Sequence, residues 1–89
     1  MRIIVTVVGK DRMGIIAMVS RILAEQRINI INLDQNIVEG YFNMILIADM
    51  TDSKAALKDI QQLFAAEGAA MGLDIKVQHE GIFEAMHRI

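Results

Sequence analysis

Residues 29–48 read NIINLDQNIVEGYFNMILIA, and their pattern predicts a β-hairpin. Apolar and polar side chains alternate before Glu39-Gly40, and a two-residue loop containing glycine between strand-like segments is a strong hairpin signal. We therefore predict a half-buried strand over Asn29–Val38 that pairs antiparallel with the segment after Gly40. Counting outward from the loop gives the pairs Ile37 with Phe42, Gln35 with Met44, Leu33 with Leu46 and Ile31 with Ala48, a mostly apolar face for helices to cover.

The opposite face of the hairpin is mixed. It places three polar residues of the first strand beside two isoleucines of the second, so it faces either solvent or another subunit. These residues are Asn32, Asp34 and Asn36, with Asn43, Ile45 and Ile47 across from them.

A strand and a helix precede the hairpin. Arg2–Val8 is β-branched and apolar on both faces, which is typical of a central strand with a neighbour on each side. Residues 9–14 break this pattern, and a helix that ends near Gln26 follows. Its apolar face at helical spacing is Ile15, Met18, Val19, Ile22 and Leu23.

A helix and a strand also follow the hairpin. Asp52 or Ser53 is expected to cap the helix, which stops by Gly72. Its inward residues are predicted to be Leu57, Ile60, Leu63 and Phe64, and the half-exposed strand after it buries Leu73, Ile75 and Val77. The order βαββαβ predicts an α+β, ferredoxin-like sandwich: a four-stranded antiparallel sheet with two helices on one face.

The chain is expected to form one domain with a short tail. At 89 residues and 9.9 kDa there is no room for a second hydrophobic core, so we assign residues 1–79 to the core and 80–89 to a docking segment. The tail has apolar residues at helical spacing, which predicts a short C-terminal amphipathic helix that cannot fold alone. It therefore docks on its own domain, across a dimer, or on another protein through Ile82, Phe83 and Met86.

Composition excludes several classes of function. A net charge of −2 gives no electrostatic footprint for nucleic acid, and the longest apolar runs of five residues are far short of the roughly 20 that span a bilayer. The lack of cysteine excludes disulfides, thiolate metal sites and a cysteine nucleophile, which makes the cytoplasm the expected location. Apolar content of 54% is more than so small a monomer easily hides, so a homodimer is expected.

The segment from Gly9 to Gly14 combines a strand end, an acid and a helix start. Free N–H groups in the first helical turn favour an anion such as a carboxylate, and Asp11 can accept the ammonium group of the same ligand. The alternative is structural: Asp11 caps the helix and Gly14 permits tight packing.

The sequence GKDRMGII at 9–16, followed by AEQRINI at 24–30, resembles the signature of ACT domains, which are small amino-acid-binding regulatory modules with the βαββαβ fold. The resemblance covers the whole chain and is strongest to small stand-alone ACT-domain proteins, with further likeness to the ACT portions of formyltetrahydrofolate deformylase and of the glycine cleavage system transcriptional repressor. Many members carry proline where Met13 stands, and proline would preset the backbone at the helix start.

The resemblance implies a small amino acid bound between two subunits, by the loop of one and the second strand of the other. The resemblance implies ligand binding by Asp11, Met13, Gly14, Ile15 and Asn29. We add the nearby residues Arg12 and Asn32 to the predicted ligand-binding set. We expect a non-catalytic regulatory module without a cofactor that signals to a partner protein. The alternative is a dimerisation or interaction protein without a ligand, which is how some ACT domains serve.

Other chemistries find little support in the residues. The strands lack the basic residues and spaced aromatics of an RNA-binding sheet, and no nucleophile, base and orienting partner occur as a set. Glu80, Glu84 and His87 lie at helical spacing; a solvated face is the favoured interpretation, and a divalent-metal site is the weak alternative.

Overall fold

The computed structural model describes residues 1–86, and its elements follow the predicted order with a third helix at the end. The strands are β1 (Arg2–Lys10), β2 (Asn29–Val38), β3 (Tyr41–Asp49) and β4 (Leu73–His79), and the helices are α1 (Ile15–Glu25), α2 (Leu57–Ala70) and α3 (Glu80–Met86). The four strands form one antiparallel sheet in the order β2-β3-β1-β4, so the predicted ferredoxin-like architecture is confirmed.

Strand β1 is central, as its two apolar faces predict, but it is longer than expected. The predicted end at Val8 is wrong because Gly9 pairs with both Phe42 and Leu73, and Lys10 pairs with Tyr41. The loop that precedes α1 is therefore only residues 11–14.

Helices α1 and α2 cover one face of the sheet. All five residues predicted for the buried face of α1 are buried, and the alternating apolar residues of β4 are buried against the same core. On α2 the prediction is partly wrong: Ile60 and Phe64 are fully buried, but Leu63 is 37% exposed. Gly68 lies inward instead, where an added Cβ would fall 2.8 Å from Ile75 Cδ1.

The expected cap of α2 is also wrong. The helix begins at Leu57 after Ala56, and neither Asp52 nor Ser53 caps it. The Ser53 hydroxyl accepts a hydrogen bond from the Ala55 N–H at 3.2 Å, so it is used in a local turn, while Asp59 reaches back to accept from the Ala56 N–H at 3.4 Å. An acid in the first turn thus replaces the predicted cap.

The hairpin register is confirmed near the turn and broken far from it. Leu33, Gln35 and Ile37 have their predicted partners, but Ala48 pairs with Ile30 and not with Ile31. A β-bulge at Ile31 absorbs one extra residue, a feature that alternation of side chains does not reveal.

Strand β2 is an edge strand, and the expectation that it is half-buried is wrong. Only Leu33 is even partly covered, and Ile37 on the helix-facing side is 54% exposed. Helix α2 packs over β4, and α1 makes only slight contact with β2, so most of β2 is open on both faces and along one edge.

The turn of the hairpin contains a strained residue. Glu39 and Gly40 both have positive φ, 52° and 81°, as a type I′ turn requires. Because this conformation favours asparagine or glycine over glutamate, we expect Glu39→Asn to raise the free energy of unfolding by about 0.5–1 kcal/mol. Urea unfolding of both proteins measures this, and an unchanged or lower value for the variant would contradict it.

Helix α3 lies across the sheet from α1 and α2. It contacts β1 and β4, and Ile4, whose side chain points away from the main core, is 4% exposed there. Arg2 pairs with Glu80 at 3.3 Å, and the Gln78 amide donates to Met86 Sδ at 3.4 Å. The tail residues as far as Met86 therefore dock on their own domain, while Ile89 and the other residues of 87–89 lie outside those that the structure describes.

No helix within residues 1–86 is both long enough and apolar enough to cross a membrane.

Candidate functional site

A cleft of about 750 Å³ opens where β1 ends, at the same end of the sheet as the hairpin turn. Its size falls in the range of small-molecule sites. It is lined by Gly9, Lys10, Asp11, Arg12, Tyr41, Met71 and Gly72. The last strand residues of β1, the first residue of β3 and the turn between α2 and β4 thus meet around one space.

Two hydrogen bonds fix the loop that forms one wall of the cleft. The Asp11 N–H donates to the Gly40 carbonyl at 2.9 Å, which attaches the loop to the hairpin turn. Arg12 Nη1 donates to the Met71 carbonyl at 3.5 Å, so the guanidinium reaches across to the opposite wall. The loop is therefore tied to both of its neighbours.

The charged side chains of the cleft have no ionic partners in the described part of the chain. Asp11, Lys10 and Arg12 are all exposed, and no salt bridge within residues 1–86 involves any of them. The Asp11 carboxylate also accepts no hydrogen bond there, while Arg21, on the far side of the helices, is paired with both Glu25 and Glu67. The unpaired charges are thus available to a ligand.

The structural alternative for the loop is not what the chain adopts. Gly14 is the N-cap of α1, no side chain caps this helix, and Asp11 therefore does not. Gly14 is not needed for tight packing either, since an added Cβ would meet nothing nearer than Met71 Cε at 4.0 Å. Its requirement is conformational: φ of 94° is unfavourable for residues with a side chain.

The remaining predicted residues of the loop do not line the cleft. Met13 is 95% exposed, and the Ile15 side chain is buried in the core, so only its backbone N–H can reach a ligand. With no acidic residue in the first turn of α1, the N–H groups at this end of the helix remain a favourable place for an anion.

Asn29 and Asn32 lie at the opposite end of the sheet from Asp11. Asn29 pairs with Asp49, whose other neighbour is Arg2 at the start of β1, and the Asn32 Oδ1 accepts from the Leu33 N–H at 2.9 Å. Within one chain the structure therefore brings Asp11 and Arg12 together and keeps the two asparagines away from them.

Besides Gly9, four residues of the cleft were not among the predicted ligand-binding residues: Lys10, Tyr41, Met71 and Gly72. Lys10 and Tyr41 are directly opposed across β1 and β3, and the other two residues reach the cleft because β4 pairs with β1. Of these four residues, only Lys10 is near a predicted site residue in the sequence. The other three could be found only from the strand pairings.

The structure gives no support to the candidate metal site at Glu80, Glu84 and His87. Within residues 1–86 no cluster of three or more histidine, aspartate or glutamate side chains could hold an ion, and Glu80 is engaged with Arg2. Glu84 is exposed, and His87 lies outside the described residues.

Comparison with known proteins places this fold and loop in a family. A UPF0237 protein of Clostridium perfringens is 46% identical over 89 residues, covering 100% of both chains. The solved structure of an ACT domain protein from Streptococcus pneumoniae is 38% identical, with a TM-score of 0.82 and 98% of each chain covered.

Two further structures share the fold at low identity. A formyltetrahydrofolate deformylase from Pseudomonas syringae is 22% identical with a TM-score of 0.80, covering 88% of this chain and 27% of its own. A putative glycine cleavage system transcriptional repressor is 20% identical with a TM-score of 0.75, covering 86% of this chain and 45% of its own. The ACT domain family model matches residues 1–78, and this chain belongs to the ACT domain family.

Proposed function

We propose that this protein is a non-catalytic regulatory module that binds a small amino acid at the loop of residues 11–14 and signals its presence to a partner through a homodimer. The observation that carries the proposal is the presence of Asp11 and Arg12, opposite in charge and without ionic partners in residues 1–86, on the wall of one cleft. ACT domains typically bind amino acids in a regulatory role, which supports this assignment.

The chemistry of the cleft suits a zwitterion. The Asp11 carboxylate accepts hydrogen bonds from an ammonium group, and the planar guanidinium of Arg12 binds a carboxylate through two parallel hydrogen bonds. Arg12 is already held by the Met71 carbonyl, which reduces the entropy lost when it engages a ligand. The volume of about 750 Å³ leaves room for the amino acid side chain.

The proposed dimer forms through the free edge of β2. An exposed edge strand presents unpaired N–H and C=O groups, and pairing with a second copy satisfies them. Antiparallel pairing of the regular run 32–38 with itself centres on Gln35 and sets Asp34 against Asn36 of the other copy, so no like charges are opposed. The exposed Ile37 of each copy then lies on the helix-covered side, between the two α1 helices.

This pairing accounts for the distance between Asp11 and the asparagines. Because the two β2 strands run in opposite directions, Asn32 of one copy comes beside Val38 of the other, next to the hairpin turn that receives the Asp11 N–H. A ligand that fixes the loop therefore biases the end of β2 and the pairing of the edge. By linkage, dimer formation changes ligand affinity by the same factor.

Thermal unfolding against a panel of free amino acids at millimolar concentration tests the proposal. A ligand at a hundredfold its Kd stabilises the protein by about 2.7 kcal/mol, which for a domain of this size raises Tm by roughly 10–20 °C. Asp11→Asn should abolish the shift, whereas Asp52→Asn, a matched change of an exposed aspartate at the other end of the sheet, should leave it intact.

The alternative function is a dimeric interaction protein without a small ligand. It is favoured by the exposed Ile82 and Met86 of α3, 57% and 65% accessible, which offer an apolar surface to another protein. A flat amino acid panel from a well-folded dimer would overturn the amino acid proposal and favour this alternative.

A further inference from the structure

We infer that the amino acid bound in the cleft carries an acidic side chain, so that its second carboxylate is held by Lys10. This inference rests on the proposed function and names the class of ligand. Three features support it: the charges on the walls of the cleft, the different elements that hold Arg12 and Lys10, and the position of Tyr41 opposite Lys10.

The cleft has one more cation than an amino acid backbone can match. Asp11 accounts for the ammonium group of the ligand and Arg12 for its α-carboxylate, which leaves the Lys10 ammonium without a counter-ion. A neutral side chain would leave the exposed Lys10 ammonium without a counter-ion in the occupied cleft. A side-chain carboxylate compensates the charge.

The two cations are held by different elements, which separates their roles. Arg12 belongs to the loop and is anchored to the Met71 carbonyl, whereas Lys10 is a strand residue fixed opposite Tyr41 in the sheet. Their separation is therefore set by the fold, and each can engage a different carboxylate of one ligand.

Tyr41 supplies the apolar contact that such a ligand needs. It is 52% exposed, lines the cleft and stands directly across from Lys10, so its ring can pack against the methylene groups between the two carboxylates. Met71 closes the opposite side.

Comparison of L-aspartate and L-glutamate with L-asparagine and L-glutamine tests the inference, because each pair differs in charge with almost no change of shape. Because Lys10 is exposed and its ion pair is screened by solvent, calorimetric titration should show the better acidic amino acid binding about two- to fivefold more tightly than its amide. The difference should decrease as salt is added.

Lys10→Met should reduce this preference to near unity, and Lys76→Met, a matched change of an exposed strand lysine outside the cleft, should keep the preference. Equal binding of acid and amide by the parent protein, or a preference that survives Lys10→Met, would overturn the inference and leave the proposed function standing. Binding of no amino acid at all would overturn both.

Discussion

Replacing Gln35 by proline should convert the proposed dimer into a monomer without unfolding the chain. In a two-residue hairpin the residues that flank the turn form a hydrogen-bonded pair, and such pairs alternate along the ladder. Val38 pairs with Tyr41, so the N–H of Gln35 should point away from β3, toward the free edge. Proline removes this donor and adds a ring at the centre of the proposed pairing, while the hairpin keeps its own hydrogen bonds.

The expected effect on association is large because the two-fold axis doubles it. Each dimer loses two N–H groups and leaves two carbonyl groups without partners, at a cost of about 3 kcal/mol or more, so the dimer should dissociate at least a hundredfold more readily. Sedimentation at micromolar concentration measures this, with Gln35→Ala as the control that should stay dimeric. Circular dichroism checks that both variants are folded.

A Gln35→Pro protein that remains dimeric would place the interface elsewhere. The rival surface is the sheet face opposite α1 and α2, where Ile45 and Val8 are each about half exposed and Ile47 lies beside them. Helix α3 covers part of this face near Ile4, which reduces the area available to a second copy. The edge of β2 meets no such obstacle within the described residues, and we therefore favour it.

The sequence predicts those parts of the fold that depend on local periodicity. The buried residues of α1, the alternation of β4 and the register near the hairpin turn are all confirmed, because each follows from side chains within a few residues of one another. The bulge at Ile31 and the start of α2 were predicted wrongly. The bulge makes Ile30 the partner of Ala48, and the start of α2 depends on side-chain hydrogen bonds, since Ser53 accepts in a local turn and Asp59 accepts from the Ala56 N–H. Neither alternation nor composition indicates which of these arrangements forms.

Only the loop that forms one wall of the candidate site could be predicted from the sequence. Asp11 and Arg12 are visible in the sequence because they lie between a strand and a helix, but the residues opposite them come from chain segments 30 to 60 positions away. Tyr41 reaches the cleft through the pairing of β1 with β3, and Gly72 through the pairing of β1 with β4. The sequence therefore points to Asp11, the proposed ammonium-binding acid, but not to Lys10, whose proposed role depends on those neighbours.

Gly9→Ala should destabilise the domain strongly and impair ligand binding at the same time. A Cβ at this position would lie 2.7 Å from Leu73 Cδ2, 3.0 Å from the Gly72 carbonyl oxygen and 3.2 Å from Leu73 Cα. The side chain can rotate away, but the two backbone atoms require β4 to move from β1. Overpacking of this kind costs about 1–3 kcal/mol, so Tm should fall by roughly 5–20 °C.

Gly72, which Gly9→Ala would displace, also lines the far wall of the cleft. In this respect Gly9 differs from Gly68, the other glycine at which an added Cβ would be crowded. Gly68 touches β4 from the α2 side, where a Cβ would fall within 3.0 Å of Ile75 side-chain atoms and 3.2 Å from the Leu73 carbonyl. Gly68→Ala should lower Tm less than Gly9→Ala, because the higher helix propensity of alanine offsets part of the crowding, and it should preserve the shift caused by an added amino acid, which Gly9→Ala should lose. Thermal unfolding of the two variants with and without amino acid measures this. A Gly9→Ala protein that melts within a degree of the parent would show that β4 is free to move, and the cleft would then lack the rigid wall on which Arg12 and its ligand depend.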